Sequence, residues 1–180
     1  MHRTKDEWES LLLSKDPEDR FDITKDELQE DSADFVRSLQ SLIERERMLA
    51  AVTAKICSDK YWQANLAARE EGSTEEPCYY GTRVRFKDNS FYAEWFYNTT
   101  RPEISHSMPK KTFSKHIRKG RGYRYHRSSF NKAPSWIKPI IEDVEDNYAL
   151  VRQRIEKLKI IQRELRDYER LLEETYRDDE

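Results

Sequence analysis

Glycine is scarce in this chain, with four in 180 residues. That shortage excludes a phosphate cradle built from glycine amides, and no P-loop, G-x-G-x-x-G or G-x-S-x-G pattern occurs. Cysteine is rarer still. Cys57 and Cys78 are the only two and have no C-x-x-C spacing. They read as free thiols of a reducing compartment, with a single disulfide between them as the alternative. No apolar run approaches the length of a membrane span. The opening MHRTKDEWES lacks the apolar core of a secretory signal. The expectation is a cytoplasmic protein with no membrane partner. Of the four histidines, His106, His116 and His126 fall ten residues apart, which does not place metal ligands on one helix face. Neither a metal nor another cofactor is expected.

Hydrophobic residues make up 36% of the chain and charged residues 38%, too polar a balance for one round globule with a large core. It suits an elongated helical protein with a small head. The charge is unevenly spread. Residues 79–138 hold fourteen Lys or Arg against three acids (Asp88, Glu94 and Glu103), while the whole chain is −2. Residues 1–78 carry 11 bases and 19 acids, and residues 139–180 carry 8 and 13. Thirteen of the twenty-one aromatics also fall in 79–138. A small β-rich subdomain needs aromatics for its core, and a basic face can simply be solvated. Fourteen crowded cations repel one another, however, unless an anionic partner or the acidic arms relieve them. Cationic surface binds phosphate backbones, and exposed rings stack on bases.

Four segments follow. Residues 1–23 are an acidic entry, in which Thr4-Lys-Asp-Glu7 opens a short helix with Trp8, Leu11 and Leu12 on its apolar side. It is expected to pack loosely through Trp8, Leu12 and Phe21. A second capping box, Thr24-Lys-Asp-Glu27, opens a long helix over 24–71, closed by Gly72. Its apolar stripe is Leu28, Phe35, Leu39, Leu42, Leu49, Val52 and Ile56. Residues 72–133 form the basic, aromatic head. There, 79–87 and 90–97 alternate as a β-hairpin about Asp88-Asn89, with Arg83, Arg85 and Lys87 in a row on one side. A short helix over 109–119 and a third strand over 122–125 complete the head. A second long helix fills 134–176. Its stripe runs Ile137, Ile140, Ile141, Val144, Tyr148, Val151, Ile155, Leu158, Ile161, Leu165, Tyr168 and Leu172, and its outer face is a mixed-sign salt-bridge surface. The fold class is therefore α+β: two long antiparallel helices as a coiled-coil stalk, with a small basic β-rich head inserted between them. The alternative is that the stripes pair with a second copy, giving a homodimer.

Signals for catalysis are weak. Tyr79-Tyr80 and Tyr123-x-Tyr125 are similar to the paired nucleophiles of DNA-nicking enzymes, but those need a metal-holding histidine cluster, and no H-x-H occurs. Arg101 to His106 and Arg121 to His126 both fit R-x4-H, a ribonuclease pattern of helical bundles. Here Pro102 and Gly122 place them on loop and strand.

The order of features resembles the MobI family, accessory mobilisation proteins of integrative conjugative elements. The residues that carry the resemblance are Asn89-Ser90-Phe91-Tyr92-Ala93-Glu94-Trp95-Phe96-Tyr97, then Lys115 to Gly120, Gly122-Tyr123-Arg124-Tyr125, Ser129-Phe130 and Ala133 to Trp136. Glu142, Glu145 and Tyr148, with Leu165 to Tyr168, complete it. It spans about 79–170. The resemblance implies a DNA-processing factor acting at the origin of transfer beside a relaxase, with no enzymatic site of its own.

The residues expected to meet DNA backbone are Arg83, Arg85, Lys87, Lys110, Lys111, Lys115, Arg118, Lys119, Arg121, Arg124 and Arg127. Tyr123, Tyr125 or Trp136 would stack on a melted strand. A nuclease built on His106 or His126, and a coiled-coil adaptor that binds an acidic protein, are the rival readings.

Overall fold

In a computed structural model, the described residues are 3–20, 22–70, 72, 76–87, 90–100 and 112–177. The fold is α+β. In order come α1 (Lys5–Leu13), a 3-10 turn (Pro17–Arg20), α2 (Lys25–Glu70), β1 (Tyr80–Lys87), β2 (Ser90–Thr100), β3 (Thr112–His116), a second 3-10 turn (Arg127–Phe130) and α3 (Lys138–Tyr176). The three strands form one antiparallel sheet in the order β1-β2-β3. The chain divides into two compact units, Arg47–Lys157 and Met1–Glu46 with Leu158–Glu180.

In the Arg47–Lys157 unit, the sheet packs one face onto α2 and α3. Strand alternation decides which face. Tyr80, Thr82, Ala93 and Trp95 point inward and are buried. Trp95 is the centre: its ring meets Tyr61 of α2 edge-on at 5.1 Å, Phe130 at 5.2 Å and Tyr148 of α3 at 6.0 Å. Ala50, Ala54, Cys57 and Tyr61 from α2 complete this core with Ile137, Ile141, Val144, Tyr148, Val151 and Ile155 from the α3 side. The buried hydroxyls are satisfied. Tyr61 donates to the Tyr80 carbonyl at 2.7 Å, and the Thr82 and Tyr148 hydroxyls lie 2.9 Å apart. Burial pushes the Tyr148 phenol up to about 12. Cys57 and Cys78 are buried free thiols, so the disulfide alternative falls.

Gly81 on β1 lies where a side chain has no room. A Cβ there would sit 2.4 Å from the Phe96 ring and 3.0 Å from Trp62. The glycine lets Phe96 lie across the strand next to it, in register.

In the other unit, the early turns of α2 run antiparallel to the late turns of α3. Val36, Ile43 and Leu165 are buried together with Leu39, Leu158 and Leu172 around them. Phe35 meets Tyr168 edge-on at 6.0 Å. The Thr4 capping box forms in full, and Trp8 donates to Asp31 at 3.1 Å. Leu12, expected to pack, is exposed. Phe21 lies outside the described residues.

Three further expectations need correction. The third strand lies at Thr112–His116, within the span expected to be helical; residues 122–125 form bends rather than a strand. Alternating Phe113, Lys115 and Ile117 can read as either element, and pairing with β2 settles it as strand. The second long helix begins at Lys138, with a turn over 135–137 before it. The α2 stripe is also rotated. Leu28, Phe35, Leu42, Leu49, Val52 and Ile56 are exposed, and the buried face is Val36, Ile43, Ala50, Ala54, Cys57 and Tyr61. The α2 seam in the sheet unit thus uses smaller side chains next to the larger ones, a shift of about 100° around the helix.

Candidate nucleic-acid interface

The β1-β2 register places Arg83 opposite Glu94, Arg85 opposite Tyr92 and Lys87 opposite Ser90, all on the outward face of the sheet. The expected row of three cations is present, but a carboxylate sits in its middle. Glu94 accepts from Arg83 Nε at 3.0 Å and lies 3.1 Å from the Arg85 guanidinium, with His116 Nδ1 at 3.9 Å. Burial alone would raise the Glu94 carboxyl, but hydrogen bonds and charge from Arg83 and Arg85 outweigh it, holding the group below its ordinary range. The same two guanidiniums lie over rings of β2: Arg83 is 5.7 Å from the Phe96 centroid and Arg85 is 5.5 Å from that of Tyr92. Tyr92, Glu94 and Phe96 are not among the site residues expected from sequence. Their period-two spacing opposite Arg83 and Arg85 was the available signal.

The other expected contacts fall into separate groups. Lys115 is exposed but alternates onto the opposite side of the sheet, paired with Tyr97. Lys132 lies 5.7 Å over that same Tyr97 ring. Arg118 and Arg121 are exposed in the segment after β3. Lys119 is half-buried and bonds the Gly122 carbonyl; burial, then the charge of Arg152, lowers its pKa. Arg124 pairs with Asp146, and Arg127 with Glu142 at 3.4 Å, so both are held against α3 beyond its first turn. Among the described residues, Lys87, Lys115, Arg118 and Arg121 are the exposed expected contacts with no carboxylate partner. Lys110 and Lys111, like Arg101 and His106, lie outside the described residues.

Of the rings expected to stack, Tyr123 is exposed. Tyr125 is buried, and that expectation is corrected: its side chain packs near Phe130 under the Arg152 guanidinium. Trp136 is half-buried and donates to the Glu76 carbonyl at 3.2 Å.

Tyr125 is fixed by a buried charged pair on α3 that is not among the site residues expected from sequence. Glu145, 1% exposed, accepts from Trp95 Nε1 at 2.7 Å, the Tyr125 amide at 2.8 Å and Arg152 at 2.8 Å. Arg152 also donates to the Tyr123 carbonyl at 2.5 Å and the Ala93 carbonyl at 2.7 Å. One ion pair thereby ties β2 and the 123–125 segment to α3. The signal was in the spacing: Ile141, Glu145, Tyr148 and Arg152 step by four, three and four, inside the apolar stripe.

A cleft of about 190 Å³ opens beside this pair, with Tyr125, Phe130 and Ile141 among its apolar lining and Arg124, Arg127 and Lys138 as its cations. Glu142 and Glu145 line it too and offset that charge. His126 caps the second 3-10 turn, accepting from the Ser128 amide. Among the described residues, no group of three or more His, Cys, Asp or Glu is arranged to hold a metal. No helix among them is long and apolar enough to cross a membrane.

The sequence profile of the MobI protein family matches residues 50–166. The chain belongs to the MobI family. The match takes in the later part of α2, all three strands and most of α3, including Glu94, Glu145 and Arg152. It begins earlier than the resemblance over 79–170 and leaves the acidic entry outside. MobI is an accessory mobilisation family, so the chain is related to mobilisation. No curated protein and no solved structure matches.

Proposed function

We propose that this MobI protein is a non-enzymatic DNA-binding accessory factor of conjugative transfer, working in the cytoplasm at the origin of transfer beside a relaxase. The observation that carries the reading is the set of exposed cations around the sheet, Lys87, Lys115, Arg118 and Arg121, in a segment of fourteen bases and three acids of a mobilisation protein. Phosphate binding at such positions is driven by counterion release, which needs accessible charge and no reaction centre. Arg83 and Arg85, held by Glu94, would position the strand-facing surface more than supply net charge.

The test is salt-dependent binding to duplex and single-stranded probes by the parent and by a variant with Lys87, Lys115, Arg118 and Arg121 all changed to Gln. Each phosphate contact contributes about 0.9 to the slope of log K against log salt on duplex DNA, so the variant should lose roughly 3 to 4. The fold should persist, because all four are exposed. Equal slopes for parent and variant would refute the assignment. Cleavage of nucleic acid by the purified parent, lost on His126→Ala, would replace it with the nuclease reading.

A further inference from the structure

One face of the sheet packs onto α2 and α3. On the other, Arg83, Arg85, Lys87 and Tyr92 are exposed. Strand alternation sets this outward face, with Arg83 opposite Glu94 and Arg85 opposite Tyr92. Tyr92 is 37% exposed, and the Arg85 guanidinium lies 5.5 Å from its ring centroid. Phe96, partly exposed, lies against Gly81, with Arg83 at 5.7 Å and the Trp62 ring of α2 at 6.4 Å. The two rings are four residues apart on one strand, about 13 Å at the rise of an antiparallel strand. Between them, Glu94 is shared by both guanidiniums. Counting Lys87, the face bears three cations to one acid, a surplus that does not require Arg83 or Arg85 to be unpaired.

We propose that this outward face binds single-stranded DNA, with bases stacked on Tyr92 and Phe96 and the backbone led past Arg83, Arg85 and Lys87. The inference rests on the DNA-binding reading above and adds the form of DNA that the sheet takes. A duplex groove offers base edges, whereas a ring on a sheet surface can stack only on a base that has left the helix. The major groove admits a helix or a two-stranded ribbon, and the open face of a three-stranded sheet is too broad to enter it. Each ring also has a guanidinium beside it, placed to meet the phosphate of the base stacked there. Glu94 holds both guanidiniums before the strand arrives, at 3.0 and 3.1 Å, so less side-chain freedom is lost on binding. With so small a surplus of charge, stacking supplies more of the affinity on this face than counterion release does.

The experiment titrates the full chain with a fluorescent oligothymidylate and with a duplex of the same length, at one salt concentration. Tyr92→Ala should weaken single-strand binding about five- to a hundredfold, the usual loss for one stacked base, and lower the ratio of single-strand to duplex affinity. Tyr92→Phe keeps the ring and should keep the ratio. Phe96→Leu keeps apolar bulk against Gly81 and should lower the ratio. In the parent, an oligothymidylate carrying 5-iododeoxyuridine should photocross-link within Ser90–Thr100, read by mass spectrometry of the peptides. That readout stands if a variant fails to fold. Several results would overturn the proposal and leave the DNA-binding reading intact: a parent that binds duplex but not the single strand, an unchanged ratio in Tyr92→Ala, an equal loss in Tyr92→Phe, or cross-links confined to segments outside the sheet. Tighter binding of the matching oligouridylate would overturn it in favour of RNA. A parent that binds neither DNA probe would overturn both readings.

Discussion

Arg152→Met tests the buried ion pair that holds the site together. Glu145 is 1% exposed and the Arg152 side chain 10%, so the substitution strands a carboxylate where water cannot replace its partner. Breaking such a pair from one side costs about 3–5 kcal/mol. The Ala93 and Tyr123 carbonyls lose a donor at the same time. For a chain of this size, each kcal/mol lowers the melting midpoint by about 2–4 °C, so a drop of roughly 6–20 °C is expected. Replacing both partners, Glu145→Leu with Arg152→Met, removes the stranded charge but leaves Trp95 Nε1 and the Tyr125 amide without their acceptor. Each orphaned donor costs about 1–3 kcal/mol. The double variant should therefore fall by about 2–6 kcal/mol, less than the two single losses added. Thermal melts followed by circular dichroism, run as a double-mutant cycle, measure all three. If Arg152→Met melts within about 2 °C of the parent, the pair does not anchor the fold in the way its geometry indicates.

Two other outcomes follow from the sheet. Glu94→Gln releases Arg83 and Arg85 and removes one negative charge, so DNA affinity at low salt should rise severalfold; an unchanged or lower affinity would take the outward face out of the interface. The same variant should flatten the acid side of the stability curve. The folded Glu94 carboxyl lies below its unfolded value near 4.5, so its contribution is full above that value and disappears as pH falls through the folded one. Urea midpoints measured from pH 6 to 3 would show parent and variant converging, and parallel curves would contradict the assignment. Gly81→Ala forces the Phe96 ring off β1 and should cost about 1–3 kcal/mol in urea unfolding, the usual penalty for overpacking; a neutral result would show that the ring relaxes freely.

Much of the architecture was legible because it rests on local chemistry. Thr4 and Glu7 form the capping box their spacing calls for, and α2 ends by Gly72, whose φ of +59° suits a helix stop. The hairpin register followed from alternation between 80 and 97. The α3 stripe held where it meets the sheet, since Ile137, Ile141, Val144, Tyr148, Val151 and Ile155 are all buried. The site was less legible, because pairing is a tertiary fact. Fourteen cations could be counted, but not that Glu94 holds two of them or that Asp146 and Glu142 take Arg124 and Arg127. Tyr125 read as a stacking ring because tyrosine is amphipathic; only the position of Phe130 and Arg152 puts it inside.

The rotation of α2 has a physical cause that hydrophobicity alone cannot reveal. On this helix two adjacent rows repeat every seven residues: Phe35, Leu42, Leu49 and Ile56, and one residue on, Val36, Ile43, Ala50 and Cys57. Ranking by transfer energy selects the first row, because each large apolar side chain contributes more when buried than Ala or Cys. Beside the sheet, however, the inner face must leave room for aromatics. Tyr61 and Trp95 meet edge-on at 5.1 Å, with Tyr148 beyond at 6.0 Å. Ala50 and Ala54, both fully buried, let the backbone of α2 come close enough for that cluster to form. Leucine or isoleucine at those two positions would push the helix outward and force the rings off their rotamers. Packing volume therefore outranks hydrophobicity in setting which row turns inward. The larger row is left on the surface.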